Sequence, residues 1–464
     1  MRRLFARQPL AWTLPEAEGP TLRRALGWPA LTGIGLGTML GGIFPTIGAG
    51  AHAAGPAVVL AYALSGAVSL CVALCYAEFA SMVPVAGSAY TYAYATLGEL
   101  VAWIIGWDLI LEYGLSVAPT ASSWSDYLQH LLGDAGLRVP FILQTGHAYG
   151  SHPQIDVVAA AITLAITLLV SVGIRESASV NGALVVFQVM TMILFVVALA
   201  GAVHPGNFKP FSPFGFHGVL TGTALVFYAY IGFDTVTVAS EEARRPVRDV
   251  PIGIMLALVI GGILYVAIAY VTIGAAPFAK LSDGAAMLDA VTGAHASRAV
   301  YWVVALGGLA GNTTVMVTSL LGQIRIFYVM ARDRMLPPAV ARIHPAFRTP
   351  ARMTAITGVI VAVLTASLPL ADLLNLVNIG TLTAFGIVCA GVLVLRVIEP
   401  YAKRPFRAPL APIFTVVGAG TCFYLISGLS VATWIRFAGW FAAGLVVYAI
   451  YGYRRSRLRA LAPG

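Results

Sequence analysis

At 464 residues, 59% hydrophobic and only 10% charged, with a mean hydropathy of +0.85, the chain departs far from the composition of a water-soluble globular protein. That balance excludes a soluble enzyme and points to an integral membrane protein. The formal net charge of +9 gives no reason to expect nucleic acid, because the basic residues are dispersed among separate loops and the tail RRSRLR is explained as a headgroup anchor.

The first 28 residues are polar and basic, with no apolar stretch to serve as a signal-peptide core, so the first span is expected to act as its own insertion signal. Apolar runs of roughly 20 residues, the length that crosses hydrocarbon as helix, then recur along the chain. They fall near 30–52, 56–82, 98–128, 155–173, 179–202, 218–240, 250–275, 298–330, 351–369, 373–397, 411–432 and 436–453. About twelve transmembrane helices place both termini on one side. With that count, 23 of the 28 lysines and arginines lie on one side, and only Arg138, Lys209, Lys280, Arg298 and Arg436 lie on the other. Cytoplasmic loops carry such an excess, so both termini are expected to be cytoplasmic. The four cysteines, Cys71, Cys75, Cys389 and Cys422, all fall inside spans and read as small core residues.

Two spans carry interruptions. The first reads LTGIGLGTMLGGIFPTIGAG, where Gly33, Gly37 and Gly41 have the spacing of close helix packing. Gly41-Gly42 followed by Pro45 favours local unwinding instead. The sixth reads FYAYIGFD, with Gly232 in an apolar run and Asp234 where lipid is expected. A carboxylate at that depth is costly unless paired, protonated or facing a cavity. Broken backbone is tolerated in a bilayer only where protein or a water-filled cavity satisfies it. Spans one to five and six to ten correspond weakly, each block opening on an interrupted helix. Five is odd, so the second block is expected to be inverted relative to the first, which is the sequence sign of a secondary-transporter site.

Several runs have a further resemblance in common: 73–113, containing GWDLILEY; 227–254, beginning FYAYIGFD; GQIRIFYVMARDRMLP; LVNIGTLTAFGIV; and RPFRAPLAP. In order and over roughly residues 28 to 430, they resemble the bacterial cationic amino acid transporter-like branch of the amino acid/polyamine/organocation superfamily. The resemblance implies an all-α membrane fold: a five-plus-five inverted repeat with discontinuous helices 1 and 6, plus two peripheral helices. It divides the chain into a cytoplasmic segment (1–28), a transport core (29–400), peripheral helices 11 and 12 (401–453) and a cytoplasmic tail (454–464). It implies a permease of the bacterial inner membrane that moves amino acids by alternating access. An amino acid exchanger and a polyamine transporter are alternatives within that class.

An amino acid has an anionic and a cationic end, and two broken helices can answer both. Gly41, Gly42 and Ile43 are expected to hold the carboxylate, although the family's G-A-G-I-F is reduced here to Gly41-Gly42-Ile43-Phe44. Tyr230, Ile231, Gly232 and Asp234 are expected near the ammonium, with Phe227 or Tyr228 as an outer gate or ordinary packing. Asp234 reads equally as a pocket residue, a proton carrier or a helix cap. Glu112, one turn beyond Asp108, is a pocket or cation-recognition candidate by family match. Relatives that couple to protons carry a lysine where this chain has Gln188, and glutamine cannot carry a proton that way. Thr313 and Thr314 make a sodium site conceivable, and a coupling proton on Asp234 or Glu112 remains open. Glu78, Glu241 and Arg325 are inner-gate candidates, with pairing to a basic loop as the alternative for Glu78, and Asp249 is expected to cap a helix beginning near Pro251.

The expected partners are an amino acid, cationic or small and neutral, and the lipid bilayer; no cofactor and no metal are expected. A membrane enzyme is disfavoured because the eight histidines are scattered through loops and span ends and no HExxH or nucleophile elbow occurs. A transporter-like sensor is disfavoured because no appended signalling domain is visible in the sequence.

Overall fold

A computed structural model describes residues 26–82, 88–137, 155–173, 178–345, 347 and 349–456. Among these residues the regular structure is helical, apart from one isolated parallel bridge between Leu26 and Ala243. Eight helices are long and apolar enough to cross a membrane by length and composition, and three shorter apolar helices accompany them.

The first of these runs is interrupted twice. Helix α1 (Trp28–Met39) tightens into a 3-10 turn at Leu40–Gly42, continues as α2 (Ile43–Ala54), passes through a second 3-10 turn at Gly55–Ala57 and becomes α3 (Val58–Met82). Gly55, at φ 65°, makes the corner between α2 and α3. After α4 (Ser88–Thr96) the chain forms α5 (Glu99–Leu115) and α6 (Val117–Asp134), then α7 (Val157–Val172) and α8 (Ala178–Leu199). Asp156 caps α7 by accepting the Ala159 N–H at 2.8 Å.

The second interrupted run consists of α9 (Gly215–Val226), a 3-10 turn at Phe227–Tyr230, and the short α10 (Thr235–Val238). Helix α11 (Pro246–Ala275) begins at Pro246, five residues before the expected start, which leaves Pro251 inside it. Asp249 therefore sits in its first turn and reaches back to accept the Arg245 N–H at 3.2 Å. The remaining elements are α12 (Ala286–Gly293), α13 (Arg298–Arg332), α14 (Ala351–Ser367), α15 (Leu370–Ile398), α16 (Ala411–Ser427) and α17 (Val431–Val447), which runs on through a π-turn to Arg455. At 1.5 Å per residue, the 35-residue α13 is about 52 Å long, well beyond the hydrocarbon thickness, and its last turns stay packed in the protein, with Ile326, Phe327 and Met330 buried.

Packing sorts these helices into two groups. α11 lies along α3 and α1, and α9 packs on α2 and α3; α13 packs on α5, α6 and α8, and α14 on α7. Of the most apolar 18 residues within the interrupted run 215–237, 78% are buried, against 22% within the last apolar run, 431–455. Val431, Ile435 and Ile450 among others leave that run with a largely apolar exposed surface.

At the end of the bundle where the N-terminal segment begins, Glu78 is locked rather than free. Its carboxylate takes both Arg396 guanidinium donors and the Ala408 N–H, with Arg404 Nε 3.4 Å away. Arg404 also donates to the carbonyls of Glu399 and Ala402 at the end of α15. Glu78 thus fastens α3 to the α15–α16 connection, the pairing with a basic stretch that is the alternative to a gate.

Candidate substrate site

The two interrupted runs meet. A Cβ on Gly42 would come within 2.8 Å of the Ala229 Cα, and one on Gly41 within 2.7 Å of the Gly311 carbonyl oxygen on α13. Both approaches are to backbone, which cannot yield, so close packing is what demands glycine in the first break. Its backbone stays in the helical region, with φ −68° and ψ −16° at Gly42 and φ −69° and ψ −34° at Ile43. The expected unwinding is therefore only a tightening to 3-10 geometry. In the second break Ile231 is extended, at φ −66° and ψ 139°, and Gly232 sits at φ 116°, where a side chain would be strained. Thr38 stitches the two together: its hydroxyl donates to the Gly232 carbonyl at 2.8 Å and lies 2.9 Å from the Thr235 hydroxyl.

A cavity of about 30 Å³ occupies this junction, lined by Thr38, Gly42, Tyr113, Ser116, Tyr228, Ile231, Gly232, Thr235, Val315, Thr318 and Ser319. That is room for little more than a water molecule. Thr38, Tyr113, Thr235 and Thr318 also line a vestibule of about 580 Å³ that includes Leu26, Glu242, Arg325 and Arg332 and so lies toward the N-terminal segment. Toward the other end, Phe44 meets Tyr127 edge-on at 5.6 Å, and His52 pairs with Asp283 at 2.6 Å.

Of the expected substrate residues, Gly42, Ile231 and Gly232 line the cavity. Gly41 packs beside it on α13, and Ile43 is buried in the core. Phe227 and Tyr230 do not line it either. A 3-10 turn has 3.0 residues per turn, so residues three apart share a face. Tyr228 and Ile231 share the cavity face, which leaves Phe227 and Tyr230 on another. Phe227 packs edge-on against Phe385 at 6.1 Å, and the Tyr230 hydroxyl donates to the Tyr62 carbonyl at 2.8 Å.

Asp234 is buried behind the cavity wall and accepts the Tyr113 hydroxyl at 3.1 Å. Its side chain makes no capping bond to α10, which removes the capping alternative. Glu112 is buried with Asp234 and Asp108 as its charged neighbours and the Thr381 hydroxyl beside it. Asp108 packs against Gly380. None of the three carboxyls lines the cavity, and none of the described lining residues is charged.

Gln188 is fully buried over Gly311, and among the described residues neither end of its amide has a hydrogen-bond partner. The Thr313 and Thr314 hydroxyls donate within their own helix, to the carbonyls of Leu309 and Ala310. Arg325 does line the vestibule; the Glu241 side chain lies outside the described residues. Reading the sequence alone missed Thr38, Ser116, Thr318 and Ser319. The signal available for them was small hydroxyl residues within otherwise apolar spans.

A profile described as Amino acid permease matches residues 26–451. This chain belongs to the amino acid permease family. The permease is 39% identical over 460 residues to a methylthioribose transporter of Bacillus subtilis (strain 168), covering 99% of this chain and all of that protein. It is 40% identical over 441 residues to a branched-chain amino acid permease of the same organism, covering 94% and 95% of the two chains. A vacuolar cationic amino acid transporter of Arabidopsis thaliana is 36% identical over 396 residues, covering 83% of the permease and 66% of that relative. The family and the long apolar helices together make this a multi-pass membrane transporter and not an enzyme.

Proposed function

We propose that this permease moves amino acids across the bacterial inner membrane by alternating access, with the substrate bound where the two interrupted helices meet. The observation that carries this reading is the cavity at that junction. The carbonyls freed where the chain leaves the helical path after α9 suit an ammonium, and Gly42 in the first break, whose backbone stays helical, lets a substrate come close to it. With the basic loops cytoplasmic, the vestibule opens inward and the substrate site is closed down to about 30 Å³, so the bundle must move for a substrate to enter.

Twelve spans in a five-plus-five inverted repeat, spanning a core of 29–400 with peripheral helices at 401–453, are the architecture this mechanism uses. The packing supports it. Exchanging each span for its counterpart five along turns the α1–α11 contact into the α9–α3 contact, and leaves the α5/α6–α13 and α7–α14 contacts as they are.

The uncharged cavity wall favours a small or branched neutral amino acid, since a cationic side chain would need a carboxylate at its tip. One observation keeps a cationic substrate as the second reading. Tyr113 both lines the cavity and donates its hydroxyl to Asp234, so a displaced Tyr113 would bring that carboxylate toward a substrate. With Gln188 in place of lysine, the buried Asp234 and Glu112 are the groups that would carry a coupling proton.

Proteoliposome uptake tests these assignments, with pH and sodium gradients imposed separately and unlabelled amino acids as competitors. The expected result is uptake driven by an inward proton gradient, with leucine or isoleucine competing more strongly than arginine. Absence of uptake for every amino acid overturns the reading, and stronger competition by arginine selects the second one. In the same assay Asp234→Asn is expected to lower gradient-driven uptake at least tenfold with membrane expression intact.

A further inference from the structure

Tyr265, on α11, lies outside both interrupted runs, yet its hydroxyl reaches each of them. It is 2.5 Å from the Met39 carbonyl oxygen, at the end of α1, and 2.9 Å from the Ala229 carbonyl oxygen, in the 3-10 turn after α9. The register change at Ile231–Gly232 deprives Ala229 of the N–H that a continuing helix would supply, so an outside donor is needed there. Ala229 is also the residue on which Gly42 packs. The two carbonyls held by Tyr265 thus flank the closest approach of the two breaks.

The ring is fully buried and fixed, edge-on to Tyr230 at 5.2 Å and tilted against Tyr62 at 5.9 Å. A phenol has one hydrogen and two carbonyls compete for it, so each bond is partial and both depend on the same atom.

We propose that Tyr265 is a positioning residue of the substrate site: its hydroxyl sets the spacing between the two breaks, and hence between the groups that receive the carboxylate and the ammonium. It touches no substrate. Small misplacements of such groups weaken binding out of proportion to their size. This inference rests on the proposed binding of an amino acid at the junction.

The test is amino acid uptake by Tyr265→Phe in proteoliposomes, with Tyr62→Phe as the comparison. Tyr62 loses a hydroxyl from the same aromatic group, but that hydroxyl bonds the Thr46 side chain on α2 and touches neither the Met39 nor the Ala229 carbonyl. Tyr265→Phe is expected to raise KM about tenfold, the scale of one lost hydrogen bond, with the maximal rate within about twofold. Tyr62→Phe should leave KM within about twofold. Replacing Tyr265 by 4-aminophenylalanine, whose amino group has a hydrogen for each carbonyl, should give a KM at or below that of the unmodified protein. That second variant decides the matter if the phenylalanine variant fails to fold. An unchanged KM in Tyr265→Phe, equal shifts in both phenylalanine variants, or a tenfold rise with 4-aminophenylalanine would each overturn the inference. If Gly42→Ala abolishes uptake while Tyr265→Phe leaves it unchanged, only the role of Tyr265 falls; if the unmodified protein transports no amino acid, the site reading falls with it.

Discussion

The two helix breaks carry the same sequence mark, glycine in an apolar run, for different physical reasons. At Gly41-Gly42 the backbone remains helical, and glycine is required because Gly311 on α13 and Ala229 in the other break come too close for any side chain. At Gly232 the backbone itself is unusual, with φ at 116°, and the chain leaves the helical path altogether at Ile231. The first break is a contact and the second a conformation. A glycine in a membrane helix therefore identifies a special position without saying which of the two it serves.

Substitutions can separate these causes. Gly42→Ala should have the largest effect, because its methyl group meets backbone on the opposing break; uptake should fall at least a hundredfold while the protein still reaches the membrane. Near-normal uptake would show that the breaks separate easily and that their contact is incidental. Thr38→Val removes the hydroxyl shared with Gly232 and Thr235 and keeps the volume of the side chain, so it tests the hydrogen bonds that hold the second break to α1 without changing the packing at Gly42. A three- to tenfold rise in KM is expected, read from initial uptake rates. The smallest effect should come from a site remote from both breaks. Asp289, in the connection between α11 and α13, is partly buried, which opposes its charge, but hydrogen bonds from His130 and Ser282 outweigh this and hold its carboxyl below the usual carboxylate range. A lowered folded-state pKa contributes stability that is complete above the ordinary carboxylate pKa and is lost as pH falls through the lowered value. Asp289→Asn should accordingly lower the melting temperature by a few degrees at pH 7 and make no difference in strong acid, with transport nearly unchanged; a large loss of uptake would couple this connection to the breaks.

Much of this was legible in the residues. Hydropathy places the helices, because the bilayer imposes a length that a single sequence must display. Gly232 and Asp234 stand out for the same reason, being costly where they are. The side chains around the cavity were less legible. Phe227 reads as a possible gate and Tyr230 as a group near the ammonium, but the local 3-10 winding turns both away and leaves Tyr228, the other gate candidate, at the cavity. Glu78 looks like a gate acid until Arg396 and Arg404, more than 300 positions along the chain, are found against it.

By itself the sequence determined that this is a helical membrane transporter of the amino acid permease family, where its helices run and which two are interrupted. The spans and their interruptions follow from local composition and periodicity; the family follows from the resemblance that the motifs carry. The tertiary structure alone decided that one break is a packing contact and the other a change of backbone conformation, that the buried acids stand behind Tyr113 rather than in the cavity, and that Tyr265 serves both breaks. Each of these depends on which surfaces of distant helices meet, and no local pattern encodes that.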